Sequence, residues 1–290
     1  MLVGLQRVIG DHLTAIVNTG DDTTMYDVHV SPDVDIVTYW LAGIADEARG
    51  WGIHGDTFEV IRGLSELGLE TWFSLGDRDF ATCLFRTERL RAGDRLSAIT
   101  DDIRRHLGVP ARILPMSDDR VATHIVTRDG RTLEFQEYFV KERCAPEVAE
   151  IQFAGIEHAA PADGVLDAIE RSERVVVCPS NPLLSIAPIL ALDGVRDALR
   201  SHPRVVAVSP IVGGAALKGP ADRLLKASGR DASASAVASM YDDFVNVFVI
   251  DEADGEEAAK VEAMGMDVIV TRTVMADGSV SERLARELLA

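Results

Sequence analysis

Two acidic clusters near the start of the chain carry residue types that suit chemistry on phosphates. One is Asn18-Thr19-Gly20-Asp21-Asp22 and the other Ser31-Pro32-Asp33-Val34-Asp35. The first directly follows the apolar run Leu13 to Val17, which reads as a buried strand. A strand that ends in a turn carrying two carboxylates is a common way for an α/β protein to hold a metal at the carboxyl edge of its sheet. Hard cations such as Mg²⁺ take oxygen ligands and use one or two carboxylates plus substrate phosphates. Asp21, Asp22, Asp33 and Asp35 are therefore candidate metal ligands for a phosphorylated substrate. Aspartates also cap helices and make turns, and spacing leaves both uses open.

Other polar segments offer anion contacts. Trp72-Phe73-Ser74-Leu75-Gly76-Asp77-Arg78-Asp79 reads as a strand-to-helix transition. Arg78 is suited to bidentate phosphate contact, with Asp77 or Asp79 to orient it; the alternative is an ordinary capped helix. Gly50-Trp51-Gly52 offers a flat side chain beside a backbone bend, for stacking or for the core. In Pro179-Ser180-Asn181-Pro182 the amides and side chains of Ser180 and Asn181 could receive phosphate or ribose oxygens, or simply make a turn. Gly213-Gly214 and Lys218-Gly219-Pro220 precede a helix whose start attracts anions. There is no intact P-loop, no G-x-G-x-x-G and no G-x-S-x-G elbow. Metal-assisted group transfer is favoured over dehydrogenase or hydrolase chemistry.

The elements that position these residues alternate. The helical period over Val34–Ala48 is opened by Ser31 as N-cap with Pro32 in the first turn. Asp56 and Glu59 have capping-box spacing before a helix ending at Leu67, with Gly68 as the stop. Leu96, Ile99, Ile103 and Leu107 mark one face of another helix. Val121–Thr127 and Thr132–Val140 flank the hairpin signal Asp129-Gly130. Beyond Ile151, strands are expected at Val175–Cys178, Val205–Val208, Val247–Ile250 and Val268–Thr271. Helices are expected near 165–171, 195–201, 221–227, 234–241 and 254–264. This is an α/β pattern: a Rossmann-like, doubly wound, mainly parallel sheet. One domain over 1–290 is expected, with a helical and β-hairpin subdomain inserted at roughly 50–150.

Composition narrows the function further. The 290 residues are 47% hydrophobic and 6% aromatic, which fits an aliphatic α/β core. No apolar run approaches the roughly 20 residues that span a bilayer, and Met1 to Ile9 show no signal-peptide pattern. A cytoplasmic protein without membrane partners is expected. Cys83, Cys144 and Cys178 lack a C-x-x-C pair, so neither a disulfide framework nor a zinc site is supported. The histidines form no H-x-x-x-H pair. A net charge of −18 argues against nucleic acid. It also repels a diphosphate, so such a ligand needs a metal ion or a local cluster of basic residues. Only Lys141, Lys218, Lys226 and Lys260 among the 29 basic residues are lysine, a composition resembling proteins of high-salt cytoplasm.

Taken in order, these motifs resemble the 2-phospho-L-lactate transferases of coenzyme F-420 biosynthesis. Besides the segments above, the resemblance includes Asp56-Thr57, Arg86-Thr87, Leu114-Pro115-Met116-Ser117-Asp118-Asp119 and Phe135-Gln136-Glu137-Tyr138-Phe139-Val140. It continues through Ser185-Ile186, Pro188-Ile189-Leu190 and Ser209-Pro210-Ile211. It implies transfer of a phospholactyl or phosphoenolpyruvyl group from a guanosine-diphosphate-linked donor to the deazaflavin Fo, with release of GMP. It also implies Mg²⁺ and a homodimer.

On that resemblance Asp35 belongs to the acceptor and metal end, with Asp21 or Asp22 as a metal ligand. Asp35, Asp21 and Arg78 are the expected catalytic residues, and Arg78 and Arg86 would neutralise phosphate charge. Ser74 would bear on the acceptor pocket, Asp77 would be substrate-binding, and Ser180, Asn181, Gly213 and Gly214 would hold donor or deazaflavin.

The chain departs from the family pattern at Ser74, where a basic residue is common, and at Ile36, where threonine is usual. Members also begin with a short strand and a glycine-rich loop. Here Met1-Leu2-Val3-Gly4-Leu5 reads as the helix after that loop. The natural chain is expected to begin upstream of Met1, and without that strand the sheet lacks a central member. The rival reading is a non-catalytic nucleotide-sugar-binding regulator of the same fold.

Overall fold

A computed structural model describes all residues from Met1 to Ala290. Helix α1 (Leu2–Ile9) leads into strand β1 (Thr14–Val17). A small antiparallel pair follows, β2 (Thr23–Met25) and β3 (Val28–Val30), and then α2 (Pro32–Leu41). Pro32 stands in the first turn of α2, as the sequence indicates. Ser31 occupies the N-cap position but its hydroxyl donates to Asp22 Oδ2 at 2.7 Å instead of capping. The helix ends at Leu41 rather than at Ala48; Gly43 (φ 70°) turns the chain and Ala45 bridges to Ile53.

Helices α3 (Glu59–Glu66), α4 (Asp77–Arg91) and α5 (Leu96–His106) come next. Residues 72–76 form no strand. The caps of α3 and α4 are exchanged. Asp77, the first residue of α4, accepts from Glu59 N (3.0 Å) and Val60 N (2.9 Å) at the start of α3. Asp56 accepts from Arg78 N (3.0 Å) and Asp79 N (3.1 Å) at the start of α4. Each carboxylate satisfies the other helix's free amides, which locks the two helix starts together.

Strand β4 (Arg112–Pro115) then pairs in parallel with β1. It interrupts the expected insertion: helices precede it, and an antiparallel sheet follows. That sheet comprises β5 (Ala122–Thr127), β6 (Thr132–Glu134) and β7 (Val148–Ala154) in the order β6-β5-β7. The second hairpin strand is short because the chain leaves it at Phe135 for a wide helical turn, Glu137–Lys141.

The remainder alternates as expected. Helix α6 (Val165–Arg171) precedes β8 (Val175–Val177); α7 (Ala187–Leu190) and α8 (Val195–Ser201) precede β9 (Val205–Val208). A two-residue hairpin joins β10 (Ile211–Val212) to β11 (Ala215–Ala216). Then come α9 (Ala221–Ala227), α10 (Ala234–Ala238), β12 (Val247–Asp251), α11 (Ala258–Glu262), β13 (Asp267–Thr271) and α12 (Gly278–Leu289). Strands β13-β12-β9-β8 form a parallel sheet.

Alternation along β9 and β12 shows the double winding. Val205, Ala207, Phe248 and Ile250 face the large core shared with α6, α8, α10 and α11. Val206, Val208 and Val249 face Leu284 and Leu288 of α12. Period-two burial on both faces requires helices on both sides.

The parallel strands do not form one sheet. β1 pairs only with β4, and β8 only with β9. Both line one mostly apolar cavity of about 550 Å³, together with Leu2 and Leu5 of α1 and Ile169 of α6. Its mouth is polar, with Asn18, Asp33 and Ser180.

Candidate functional site

The site is built where strand ends and helix starts meet. β1 ends at Val17, and the next five residues carry the first acidic cluster over the carboxyl edge of β1. Gly20 O accepts from Thr123 N of β5 at 2.6 Å, so the inserted sheet pins the loop. A Cβ on Gly20 would lie 2.7 Å from Thr123 Oγ1, a clash that only glycine avoids. Asn18 turns back on the loop, accepting from Gly20 N (2.8 Å) and donating to Asp33 Oδ2 (3.0 Å). One side chain therefore joins the two acidic clusters.

The second cluster opens α2. Asp35 is 4% exposed and Arg86 of α4 is fully buried; the two form an ion pair. Arg86 also donates to His29 O at 3.2 Å. Burial raises the Asp35 pKa, and Arg86 opposes that rise. Burial works against the Arg86 charge, but Asp35 beside it raises the guanidinium pKa overall. A buried charge of this kind survives only when paired. Asp22 sits nearby, accepting from Ser31 and facing His29 Nε2 at 3.0 Å. Behind the pair, Tyr39 donates to Asp79 at 2.8 Å. Burial, then Asp35, pushes the Asp79 carboxyl up to about 7.

Crowding of carboxylates in low dielectric raises their proton affinity. Burial, and next Asp33, lifts Asp21 well above the usual range; burial lifts Asp33 to about 6, against the hydrogen bond from Asn18. Three carboxylate oxygens here are buried without a partner: Asp21 Oδ1, Asp22 Oδ1 and Asp35 Oδ2. Unpaired buried acceptors of this kind suit a hard cation.

The structure thus brings Asp21, Asp22, Asp33 and Asp35 near one another, and of these Asp33 shares the cavity mouth with Ser180. The other expected residues are placed differently. Arg86 lies beneath the site holding Asp35, with no exposed surface to meet a phosphate. Asp77 is spent on α3, Thr57 Oγ1 and two backbone amides. Ser74 is exposed on the segment before α4. Arg78 is exposed and in no ion pair, free to meet an anion.

Asn181 uses its side-chain oxygen to cap the next turn, accepting from Leu183 N (3.0 Å) and Leu184 N (3.2 Å). Gly213 and Gly214 form the β10–β11 turn, with φ of 60° and 77°, a conformation that suits a two-glycine hairpin. Gly213 N donates to both oxygens of Asp254 at 3.0 Å. Beyond β11, Lys218 reaches the segment between α2 and α3, where its Nζ would lie 3.4 Å from a Cβ on Gly50.

Sequence reasoning missed His29, Tyr39, Thr123 and Asp254. Asp254 alone had a readable sign: an aspartate just beyond a strand's carboxyl end, in Asp251-Glu252-Ala253-Asp254-Gly255.

Comparison with known proteins identifies the family. The profile of a family described as 2-phospho-L-lactate transferase CofD matches residues 1–285. A 2-phospho-L-lactate transferase of Methanocaldococcus jannaschii is 39% identical, over 100% of this chain and 93% of its own. A phosphoenolpyruvate transferase of Kitasatospora aureofaciens is 41% identical, over 100% and 92%. Among solved structures, protein BH3568 of Bacillus halodurans shares the fold at 15% identity, with a TM-score of 0.65 over 100% of this chain and 96% of that one. The chain belongs to the 2-phospho-L-lactate transferase CofD family and is a transferase.

Proposed function

We propose that the chain transfers a phospholactyl or phosphoenolpyruvyl group from a guanosine-diphosphate-linked donor to the hydroxyl of the deazaflavin Fo, releasing GMP. The gathering of Asp21, Asp22, Asp33 and Asp35 beyond the end of β1, with Asp33 reaching the polar mouth that Ser180 also lines, carries this reading. In the reaction the acceptor oxygen bonds to the phosphorus that bears the lactyl or enolpyruvyl group. The anhydride bond to GMP breaks, GMP takes that electron pair, and a carboxylate takes the hydroxyl proton. Asp35 is oriented for the acceptor end by Arg86, and Asp21 stands at the cation end. Arg78 is the exposed guanidinium that can neutralise donor phosphate. Ser180 at the cavity mouth offers a hydroxyl, and the exposed Gly213-Gly214 turn is the further candidate for donor contact.

Asp21, Asp22, Asp33 and Asp35 offer carboxylates that would hold Mg²⁺, three of their oxygens without partners, while the ligand atoms already within 4.8 Å of one another are those of Asp35, Asp79 and Cys83. Bound there, Mg²⁺ would neutralise diphosphate charge. A cytoplasmic homodimer goes with the reading. No helix is long and apolar enough to cross a membrane.

Incubation with Fo, the donor and Mg²⁺, followed by mass detection of the product and of GMP, tests the proposal. No product at any salt concentration would sink it. Near-normal GMP release by Asp35→Asn in the presence of Fo would remove Asp35 from its role.

A further inference from the structure

The starts of α3 and α4 are held by more than ordinary caps. Asp56 accepts from Arg78 N on both carboxylate oxygens (3.0 and 3.2 Å), from Asp79 N (3.1 Å) and from its neighbour Thr57 N (2.9 Å). Asp77 returns the contact. It accepts from Thr57 Oγ1 (2.6 Å), Glu59 N (3.0 Å) and Val60 N (2.9 Å), and its own amide donates to Thr57 O at 2.8 Å. Gly76, the residue ahead of α4, has φ −68° and ψ 157°, a backbone open to any residue. A Cβ there would nevertheless lie 2.2 Å from Asp56 Oδ2. The glycine makes room for the Asp56 carboxylate; the backbone itself does not require it.

This clamp fixes where two successive side chains go. Asp79 turns inward, 9% exposed, and accepts from Tyr39 of α2, the helix that carries Asp35. Arg78 turns outward and is exposed. Just ahead of them Phe73 and Leu75 are buried, and the Tyr26 hydroxyl donates to Phe73 O at 2.6 Å, so the chain enters α4 from a fixed floor. The direction of the Arg78 stem is therefore set at the backbone, through the amide that Asp56 holds. An arginine carries much rotamer freedom, and a guanidinium meets a phosphate at lower cost when its starting point is already fixed. Hydrogen bonds to an ionised acceptor are the strong kind, which suits them to that task.

We propose that Asp56 is a positioning residue for the transfer reaction: it fixes the first turn of α4 so that Arg78 faces the donor phosphate, and Gly76 leaves space for its carboxylate. Asp56 touches no substrate itself. The inference rests on the reading of Arg78 as the cation for the donor phosphate. Its consequence is that Asp56 and Gly76 act on the reaction only through Arg78.

The test is a double-mutant cycle on the full chain with Fo, the donor and Mg²⁺, reading kcat and the donor KM from GMP release and recording the melting temperature of every variant. Arg78→Gln should lower kcat/KM for the donor about tenfold or more. Asp56→Asn, which keeps one neutral acceptor, should lower it about threefold to tenfold. Gly76→Ala, which pushes the carboxylate aside, should reproduce that loss from the other side of the contact. Either of these two completes the cycle if the other does not fold. Combined with Arg78→Gln, neither should lower kcat/KM further, because nothing is left to position. Losses that multiply in the double variants would mean that the clamp only supports the fold, and would overturn the proposal. So would a folded Asp56→Asn with the parent's donor kinetics. If Arg78→Gln itself keeps the parent's kcat/KM, the reading of Arg78 fails, and the role of Asp56 falls with it.

Discussion

The two groups of parallel strands are built from similar β-branched runs yet are held in opposite ways. In β13-β12-β9-β8 the inner strands β9 and β12 have partners on both sides, and their residues from Val205 to Val208 and from Phe248 to Ile250 are buried at 0–4% exposure. In β1-β4 the inner edge has no partner, and β1 shares a 550 Å³ cavity with β8. What steadies the acidic half is therefore less the sheet than its surroundings. Arg86 ties α4 to α2 through Asp35, and Gly4 of α1 packs so closely on α12 that a Cβ would meet Ser281 O at 2.1 Å. Apolar pairing carries the four-stranded half; buried charge carries the acidic half.

The largest expected effect strikes that charge. Arg86→Met leaves Asp35 buried without its partner, a change that costs about 3–5 kcal/mol. Urea unfolding should show it, and activity should disappear. Arg86→Met with Asp35→Leu should recover most of the stability but none of the activity, because an apolar pair replaces a buried ion pair at little cost. If the single variant is as stable as the parent, charge does not hold this half.

Next comes Asp79. Its folded pKa of about 7 lies above the ordinary carboxylate value, so the folded state binds the proton more tightly than the unfolded state. The sign follows: between about pH 4 and pH 7 this group makes stability fall as pH rises. Asp79→Asn keeps an acceptor for Tyr39 but removes the titration. It should be more stable than the parent at pH 8, by up to about 4 kcal/mol if the whole shift is expressed, and should match it near pH 4. A difference between the two proteins that does not change with pH would contradict the assignment.

A smaller effect tests the cavity between β1 and β8. An apolar strand of about five residues fused ahead of Met1 should pair with both free edges and join the two groups. A gain of about 2 kcal/mol would raise the melting temperature by about 4–8 °C in a domain of this size. A fused polar segment of equal length should give no rise. Equal behaviour of both fusions would show that the cavity does not accept a strand.

Much of this fold was legible because several strands are short β-branched runs bounded by turn residues. Val205–Val208 and the helices at 165–171, 195–201 and 221–227 stand where periodicity puts them. The acidic clusters were legible for a like reason: carboxylates at the end of a buried strand stand out. The exchanged caps were not. Local spacing pairs Asp56 with Glu59, whereas Asp56 accepts from Thr57 N next to it and from the α4 amides of Arg78 and Asp79, 22 and 23 residues away. Arg86 was misplaced because arginine is normally exposed, and nothing in Arg86-Thr87 announces that Asp35 will neutralise it in the core. Contacts set by tertiary packing leave no period in the sequence.

The smallest effect separates the two sides of the site itself. The Gly213-Gly214 turn is exposed, and Asp254 holds it from beneath by accepting the Gly213 amide on both oxygens. A hydrogen bond to a charged group contributes about 1.5–3 kcal/mol, and Asp254→Asn keeps one neutral acceptor, so the loss should be about 1 kcal/mol. That loss falls on a surface hairpin, outside the paired core of β9 and β12, and should leave the unfolding midpoint almost unchanged. Its consequence is positional. If this turn contacts the donor, its KM should rise about threefold to tenfold while the KM for the deazaflavin stays put. Asp35→Asn, on the charged side, should impair the acceptor step instead. Equal shifts in both Michaelis constants for Asp254→Asn would mean that the two sides are one mechanical unit, and the division between the four-stranded half and the acidic half would fail at the site where it matters most.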